Sequence, residues 1–172
     1  MVSAPTETKS TPVAAITRRR SPVTPPETSS GVRPAARSTL NVAFSAGSFP
    51  TGSVNPGALA VLARHDVSAG EPRSKSWDEL ADDDIHLAIT VCDAAAGETC
   101  PVWMGTTLRA HWGVPDPAHV QGDADTIKRA FERTFTEMKE RIEALLALPL
   151  ANMKPAELAA ALGDIQRRHT RP

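Results

Sequence analysis

An α/β fold, a sheet flanked by helices, is predicted for this chain from three features. Strand-like and helix-like segments alternate from Leu40 onward. Ile85 to Val91 is a nearly continuous β-rich run, the kind found where both faces of a parallel-sheet strand are covered. Asp123 to Leu148 repeats apolar residues at helical spacing. A length of 172 residues suits one compact domain with a tail better than two domains. The expected organisation is a tail over 1–39, a folded domain over 40–150 and a C-terminal helical extension over 151–172.

The tail is read as disordered. Pro5, Pro12, Pro22, Pro25, Pro26 and Pro34 stand among many Ser and Thr with almost no apolar periodicity. Val13-Ala14-Ala15-Ile16 is its one strand candidate. Arg18, Arg19 and Arg20 are not followed by an apolar core, so no export signal is read there.

From Leu40 the pattern changes. Leu40 to Ser45 alternates and runs into Ala46-Gly47, as a strand entering a turn does. Asn55-Pro56 opens a helix carried by Ala58, Leu59, Val61, Leu62 and Ala63, with Pro56 in the first turn, where its missing N–H costs nothing. Ser76-Trp77-Asp78-Glu79 fits a capping box and predicts a short helix ended by Asp82-Asp83-Asp84. Cys92 then falls at the carboxyl end of the strand from Ile85, where ligands bind in open α/β sheets. A loop over 93–105 leads to a short strand candidate at Leu108, Ala110 and Trp112. In the long helix, Ile127, Phe131, Phe135, Met138, Ile142, Leu145 and Leu146 form the expected core stripe. Lys128, Arg129, Glu132, Arg133, Lys139, Glu140 and Glu143 form its solvated face. Pro149 stops that helix, and a last one is expected from Pro155 to about Arg168, with Leu158, Leu162 and Ile165 on one side.

Composition excludes more than it assigns. A net charge of −1 argues against wholesale binding to nucleic acid or an anionic membrane. No apolar run approaches the roughly 20 residues that span a bilayer. Two cysteines are too few for a secreted disulfide scaffold, so a soluble, cytoplasmic monomer is expected. The five histidines never adopt metal-ligand spacing, and no metal site is expected.

Two motifs can carry chemistry. Cys92 and Cys100 are separated by small residues that would let the sulfurs approach, as thiol–disulfide exchange requires; on spacing alone, two incidental thiols are the favoured reading. Asp116, held between Pro115 and Pro117 in Trp112-Gly113-Val114-Pro115-Asp116-Pro117, could donate a proton to a leaving oxygen if aimed at the reacting centre; taken alone, the motif favours a turn residue. Ser45 and Lys75 either face an anion pocket or are ordinary surface residues beside a turn and a helix start.

Taken together, Phe44-Ser45-Ala46-Gly47, Val54-Asn55-Pro56, Ser74-Lys75-Ser76-Trp77, Thr90-Val91-Cys92-Asp93, Thr99-Cys100-Pro101-Val102-Trp103 and His111-Trp112-Gly113-Val114-Pro115-Asp116-Pro117-Ala118 make the chain resemble thiol-dependent arsenate reductases of the low-molecular-weight protein tyrosine phosphatase family. The resemblance implies a small parallel sheet flanked by helices and the reduction of arsenate, or binding of a phosphate-like oxyanion. It also implies no bound cofactor and an external reductant, thioredoxin or glutathione with glutaredoxin. It makes Cys92 the second thiol of a relay, Cys100 its disulfide partner and Asp116 the acid, although the loop between the cysteines is a residue longer than in well-known members. Phosphotyrosine phosphatases of the same fold usually surround the acid with tyrosines, and this chain has no Tyr.

One family feature is missing. The nucleophilic loop, Cys-x5-Arg between the first strand and first helix, does not occur in these residues: six positions beyond the two cysteines stand Glu98 and Thr106. Its only echo is Arg20-Ser21, with Ala14 where the cysteine would be. The first strand, loop and helix are therefore expected to be missing or replaced, and arsenate turnover to be impaired.

Overall fold

The computed structural model describes residues 14–19, 41–47, 50, 52–92 and 107–170. Four strands form one sheet among them: β1 (Ala14–Arg19), β2 (Asn41–Ala46), β3 (Leu87–Cys92) and β4 (Leu108–Val114), in the order β2-β1-β3-β4. Three α-helices accompany it: α1 (Pro56–Arg64), α2 (Ala124–Leu146) and α3 (Pro155–His169). Among the described residues no helix is long and apolar enough to cross a membrane.

The α/β class stands, with a sheet of mixed direction. β3 and β4 are parallel, Leu87 opposite Leu108 and Thr90 opposite His111. β1 runs antiparallel to both of its neighbours, Ala14 lying opposite Ala46 on one side and Thr90 on the other. A strand therefore forms inside the stretch read as a disordered tail, over Ala14–Arg19, where the sequence offered its one strand candidate. The physical reason is the gap it fills: without it the facing edges of β2 and β3 would lose their ladder bonds, and each buried unsatisfied group costs about 1–3 kcal/mol. The rest of 1–39 lies outside the described residues.

β3 is covered on both faces, as its continuous apolar run required. Ala88 packs with Ala46, Leu80 and Ile85 in one cluster, against which Phe44 and Trp77 lean. Leu87 and Ile89, one step either side, point the other way into a second cluster with Trp112, Leu145, Leu162 and Ile165. Successive strand residues thus feed two cores, and the second draws α2 and α3 onto the sheet.

Local signals set the helix starts. Asn55 caps α1, its side chain accepting from the Gly57 N–H at 2.8 Å, and Pro56 occupies the first turn. The capping box at Ser76 and Glu79 opens a single 3₁₀ turn, Trp77–Leu80. Asp123 caps α2 through the Thr126 N–H at 2.7 Å. Both hydrogen bonds from Thr126 hold the Asp123 carboxyl below its ordinary range.

The buried face of α2 is not the one its apolar stripe marks. Phe131 and Leu145 are buried, but Ile127, Ile142 and Leu146 are exposed, Leu146 by 63%. Ala130, Glu137 and Arg141 take their place. At about 100° per residue, the helix is turned by roughly 60° from the face that hydrophobicity alone selects. Glu132, read as solvated, is an ion-pair partner instead: it accepts from Arg64 at 2.6 Å and lies 2.7 Å from His65, fastening α2 to α1. The His65 ring also stacks on Phe135, with centroids 4.1 Å apart.

Candidate functional site

Because β1 is antiparallel to both β2 and β3, those two strands and β4 all point the same way, and their carboxyl ends gather at one end of the sheet. That end carries Ser45-Ala46-Gly47 from β2, Cys92 from β3 and the Val114-Pro115-Asp116 exit from β4. Ligands of open α/β sheets bind at such an end because the loops there diverge and leave a crevice.

The β3 and β4 exits are in register. Cys92 is the backbone partner of Val114, which puts Asp116 two residues beyond the pair. Between Thr90, opposite His111, and Cys92 the ladder slips by a residue, a local bulge of the kind that bends a strand end. Just before the slip, Thr90 Oγ1 and His111 Nδ1 lie 2.8 Å apart and tie the two strands side chain to side chain. Cys100 and Trp103 lie outside the described residues, so the structure places one backbone of the cysteine pair and not the other.

Asp116 is half-buried and caps the 3₁₀ turn Pro117–His119, its Oδ1 accepting from the Ala118 N–H at 2.8 Å. Its Oδ2 stands 4.0 Å from His119 Nδ1. The turn role weighed from the sequence is therefore real, and it fixes one carboxylate oxygen while the other faces His119.

On the β2 side, the Gly47 N–H donates to the Lys75 carbonyl at 3.0 Å and the Trp77 N–H to the Gly47 carbonyl at 3.1 Å. A bridge between Gly47 and Ser76 results, and it brings Ser45 and Lys75 to the same end of the sheet. Glu79 steadies this corner, accepting from the Ser76 N–H at 3.2 Å and pairing with Arg73 at 2.6 Å. The hydrogen bond from Arg73 is the main reason the Glu79 carboxyl lies below its usual range.

Beneath the β4 exit lies a group that the sequence reading missed. Arg141 is wholly buried; its Nη1 donates to the carbonyls of Trp112 at 2.8 Å and Gly113 at 3.4 Å. Its Nη2 donates to the buried Glu137 carboxylate and, at 3.2 Å, to Thr170 Oγ1. Trp112 is itself almost fully buried, and its Nε1 donates to the Leu162 carbonyl of α3 at 3.2 Å. A signal existed: Glu137 and Arg141, four apart, fall on the Ala130 side of the helix, between the apolar stripe and the solvated face.

The model of the family described as low molecular weight phosphotyrosine protein phosphatase matches residues 32–159. Among curated relatives, the arsenate reductase of Halalkalibacterium halodurans is 31% identical over 90 residues, which cover 52% of this chain and 64% of that protein. The arsenate reductase of Bacillus licheniformis is 32% identical and that of Bacillus subtilis 29%, over the same shares of chain. The chain thus spans under two thirds of the length of the curated relatives it matches.

Proposed function

Since the chain belongs to the low molecular weight phosphotyrosine protein phosphatase family, we propose that it is of the arsenate reductase kind, and that it supplies the later thiols of the relay rather than the first. The observation that carries this reading is the in-register exit of β3 and β4, which sets the Cys92 backbone and the Asp116 turn side by side at the ligand-binding end of the sheet. The relatives named arsenate reductase support the substrate class.

The chemistry assigned to each residue follows from its position. In this reading a thiol attacks arsenate, and Asp116 gives a proton to the departing oxygen, so that water leaves and a sulfur–arsenic bond forms. Cys92, as thiolate, then attacks that sulfur. A disulfide forms, the electron pair of the sulfur–arsenic bond goes to arsenic, and arsenic(V) leaves as arsenic(III), in arsenite. Cys100 attacks Cys92 in turn, releasing the first thiol and leaving a Cys92–Cys100 disulfide for thioredoxin, or glutathione with glutaredoxin, to reduce. The first thiol must come from outside these residues, because no Cys-x5-Arg occurs in them.

A phosphotyrosine phosphatase role is the weaker reading. The chain has no Tyr to grip a substrate ring, and a thiol pair does nothing for simple phosphoester hydrolysis. A silent binding protein of the same fold would keep the sheet and lose the thiol exchange, which makes the exchange the deciding measurement.

The test is therefore in two parts. Purified chain incubated with arsenate, thioredoxin, its reductase and NADPH should show no turnover above background. Under mild oxidant, mass spectrometry of the alkylated protein should find an intramolecular Cys92–Cys100 disulfide that thioredoxin reopens. Turnover by the chain alone would refute the missing first thiol. Two alkylated cysteines, or disulfides only between chains, would refute the relay.

A further inference from the structure

We propose that Arg141 is a positioning residue for Asp116, fixing the direction in which the chain leaves β4 and so where the carboxylate stands beside the end of β3. The inference rests on the acid role proposed above for Asp116.

The environment of Arg141 is expensive to build. A guanidinium that is 0% exposed must give up its water, and a well-packed apolar pair often does as well or better for stability than a buried ion pair. Its Nε has no hydrogen-bond partner among the described residues, so the site is not optimised as a salt bridge. What the group does supply is directional: one Nη1 reaches two successive carbonyls, at Trp112 and Gly113. A fork of N–H donors fixes its acceptors in angle as well as distance, which a lysine or an apolar side chain does not.

Those carbonyls stand at a break in the ladder, between the His111 pair and the point where pairing resumes at Val114 opposite Cys92. The β3·β4 ladder slips between Thr90 and Cys92, so the register opposite Trp112 and Gly113 is not held by regular strand pairing. Arg141 provides fixed points from the helix side instead. Trp112 is held from both ends, its carbonyl by Arg141 and its ring N–H by the Leu162 carbonyl. From Gly113 only Val114 and Pro115 intervene before Asp116, and prolines on both sides of that residue restrict the backbone. A direction set at Trp112 and Gly113 is thereby carried to the carboxylate. Glu137 completes the arrangement by balancing the charge from one helical turn away.

The test uses the full chain, isotope-labelled, and reads the loop rather than the reaction. Removing Arg141 alone would orphan Glu137, so the main variant is Glu137→Leu with Arg141→Met; Arg141→Lys is the conservative companion. Circular dichroism and urea unfolding report whether each remains folded. The amide–water exchange rate of Ala118, whose N–H is capped by Asp116, and the carboxyl ¹³C shift of Asp116 report its placement. The double variant should stay folded while Ala118 exchange rises by about tenfold or more and the Asp116 signal moves. Arg141→Lys should restore part of both, since it keeps the charge and loses the fork. An unchanged Ala118 rate and Asp116 shift in a folded double variant would overturn the proposal; were that variant not to fold, unchanged values in Arg141→Lys would overturn it equally. No arsenate enters these measurements. A failed Cys92–Cys100 exchange with a disturbed loop would therefore remove the proposed relay and leave the positioning role standing, and an undisturbed loop with an intact exchange would remove the positioning role alone.

Discussion

Gly57 lies in the first turn of α1 with the Phe131 ring of α2 directly against its backbone. A Cβ at that position would stand 2.5 Å from Phe131 Cε2, 2.7 Å from Cζ and 2.9 Å from Cδ2. Two effects compete in Gly57→Ala. Alanine in place of glycine favours a helix by about 1 kcal/mol in its interior and by less in the first turn. Against this, all three contacts are closer than real Cβ atoms come to ring carbons, and the ring is only 7% exposed, so it must shift inside a packed interface. Overpacking of this kind costs about 1–3 kcal/mol. Swinging the ring out into water would cost about as much, roughly 1.5–3 kcal/mol. The net expectation is a loss of about 1–2 kcal/mol. Urea unfolding followed by tryptophan fluorescence measures it, as a lower midpoint at unchanged slope. Adding Phe131→Leu should recover part of the loss in the double variant, giving a favourable coupling of about 1 kcal/mol. A Gly57→Ala protein as stable as the parent, or more so, would refute the argument that α1 and α2 meet at this glycine.

Trp112→Phe should cost about 2–3 kcal/mol, the lost hydrogen bond to the Leu162 carbonyl adding to the void left by a smaller ring, and limited proteolysis should cut α3 sooner. Glu132 carries a pH dependence. His65 first and Arg64 second hold its carboxyl below the ordinary range, so its contribution to stability is full above the unfolded-state value and disappears as pH falls through the lower folded-state value. Glu132→Gln should therefore flatten the acid side of a thermal-stability profile; a variant with an unchanged acid slope would remove the α1–α2 ion pair from the account.

Much of the fold could be read from local signals because each is a short-range chemical fact. Pro56, the Ser76–Glu79 capping box and Pro155 each mark a helix start that the structure keeps, and the run from Ile85 gave a strand buried on both faces. The strand at Leu108 proved longer than its pattern, reaching Val114, because Trp112 and Val114 are buried and extend its alternation. What escaped is tertiary. Antiparallel pairing of β1 depends on a vacancy between β2 and β3 that no window of sequence contains. The rotation of α2 depends on Arg141 finding carbonyls 28 and 29 positions away, and a charged residue on a helix flank reads as solvent-facing until those acceptors are known. At the site, Cys92 and Asp116 were legible as strand-end and loop residues. Their adjacency comes from the parallel register, which periodicity does not encode.

The antiparallel seam also sets the order of assembly. From Ile85 to Thr170 the chain makes β3, β4, α2 and α3, whose mutual contacts form one cluster from a continuous stretch of sequence. β1 must find β3 across a far longer gap, Ala14 opposite Thr90, 76 positions apart, and its own return to β2 closes the 21 residues between Arg19 and Asn41. Closing long loops delays pairing, because the chain entropy is surrendered before the contacts compensate. On that ground the C-terminal body is expected to form first, with the edge of β3 bare, and the β1–β2 pair to dock onto it afterwards. During that interval an unpaired edge runs alongside Cys92, a template open to any extended segment, of this chain or another, that arrives sooner.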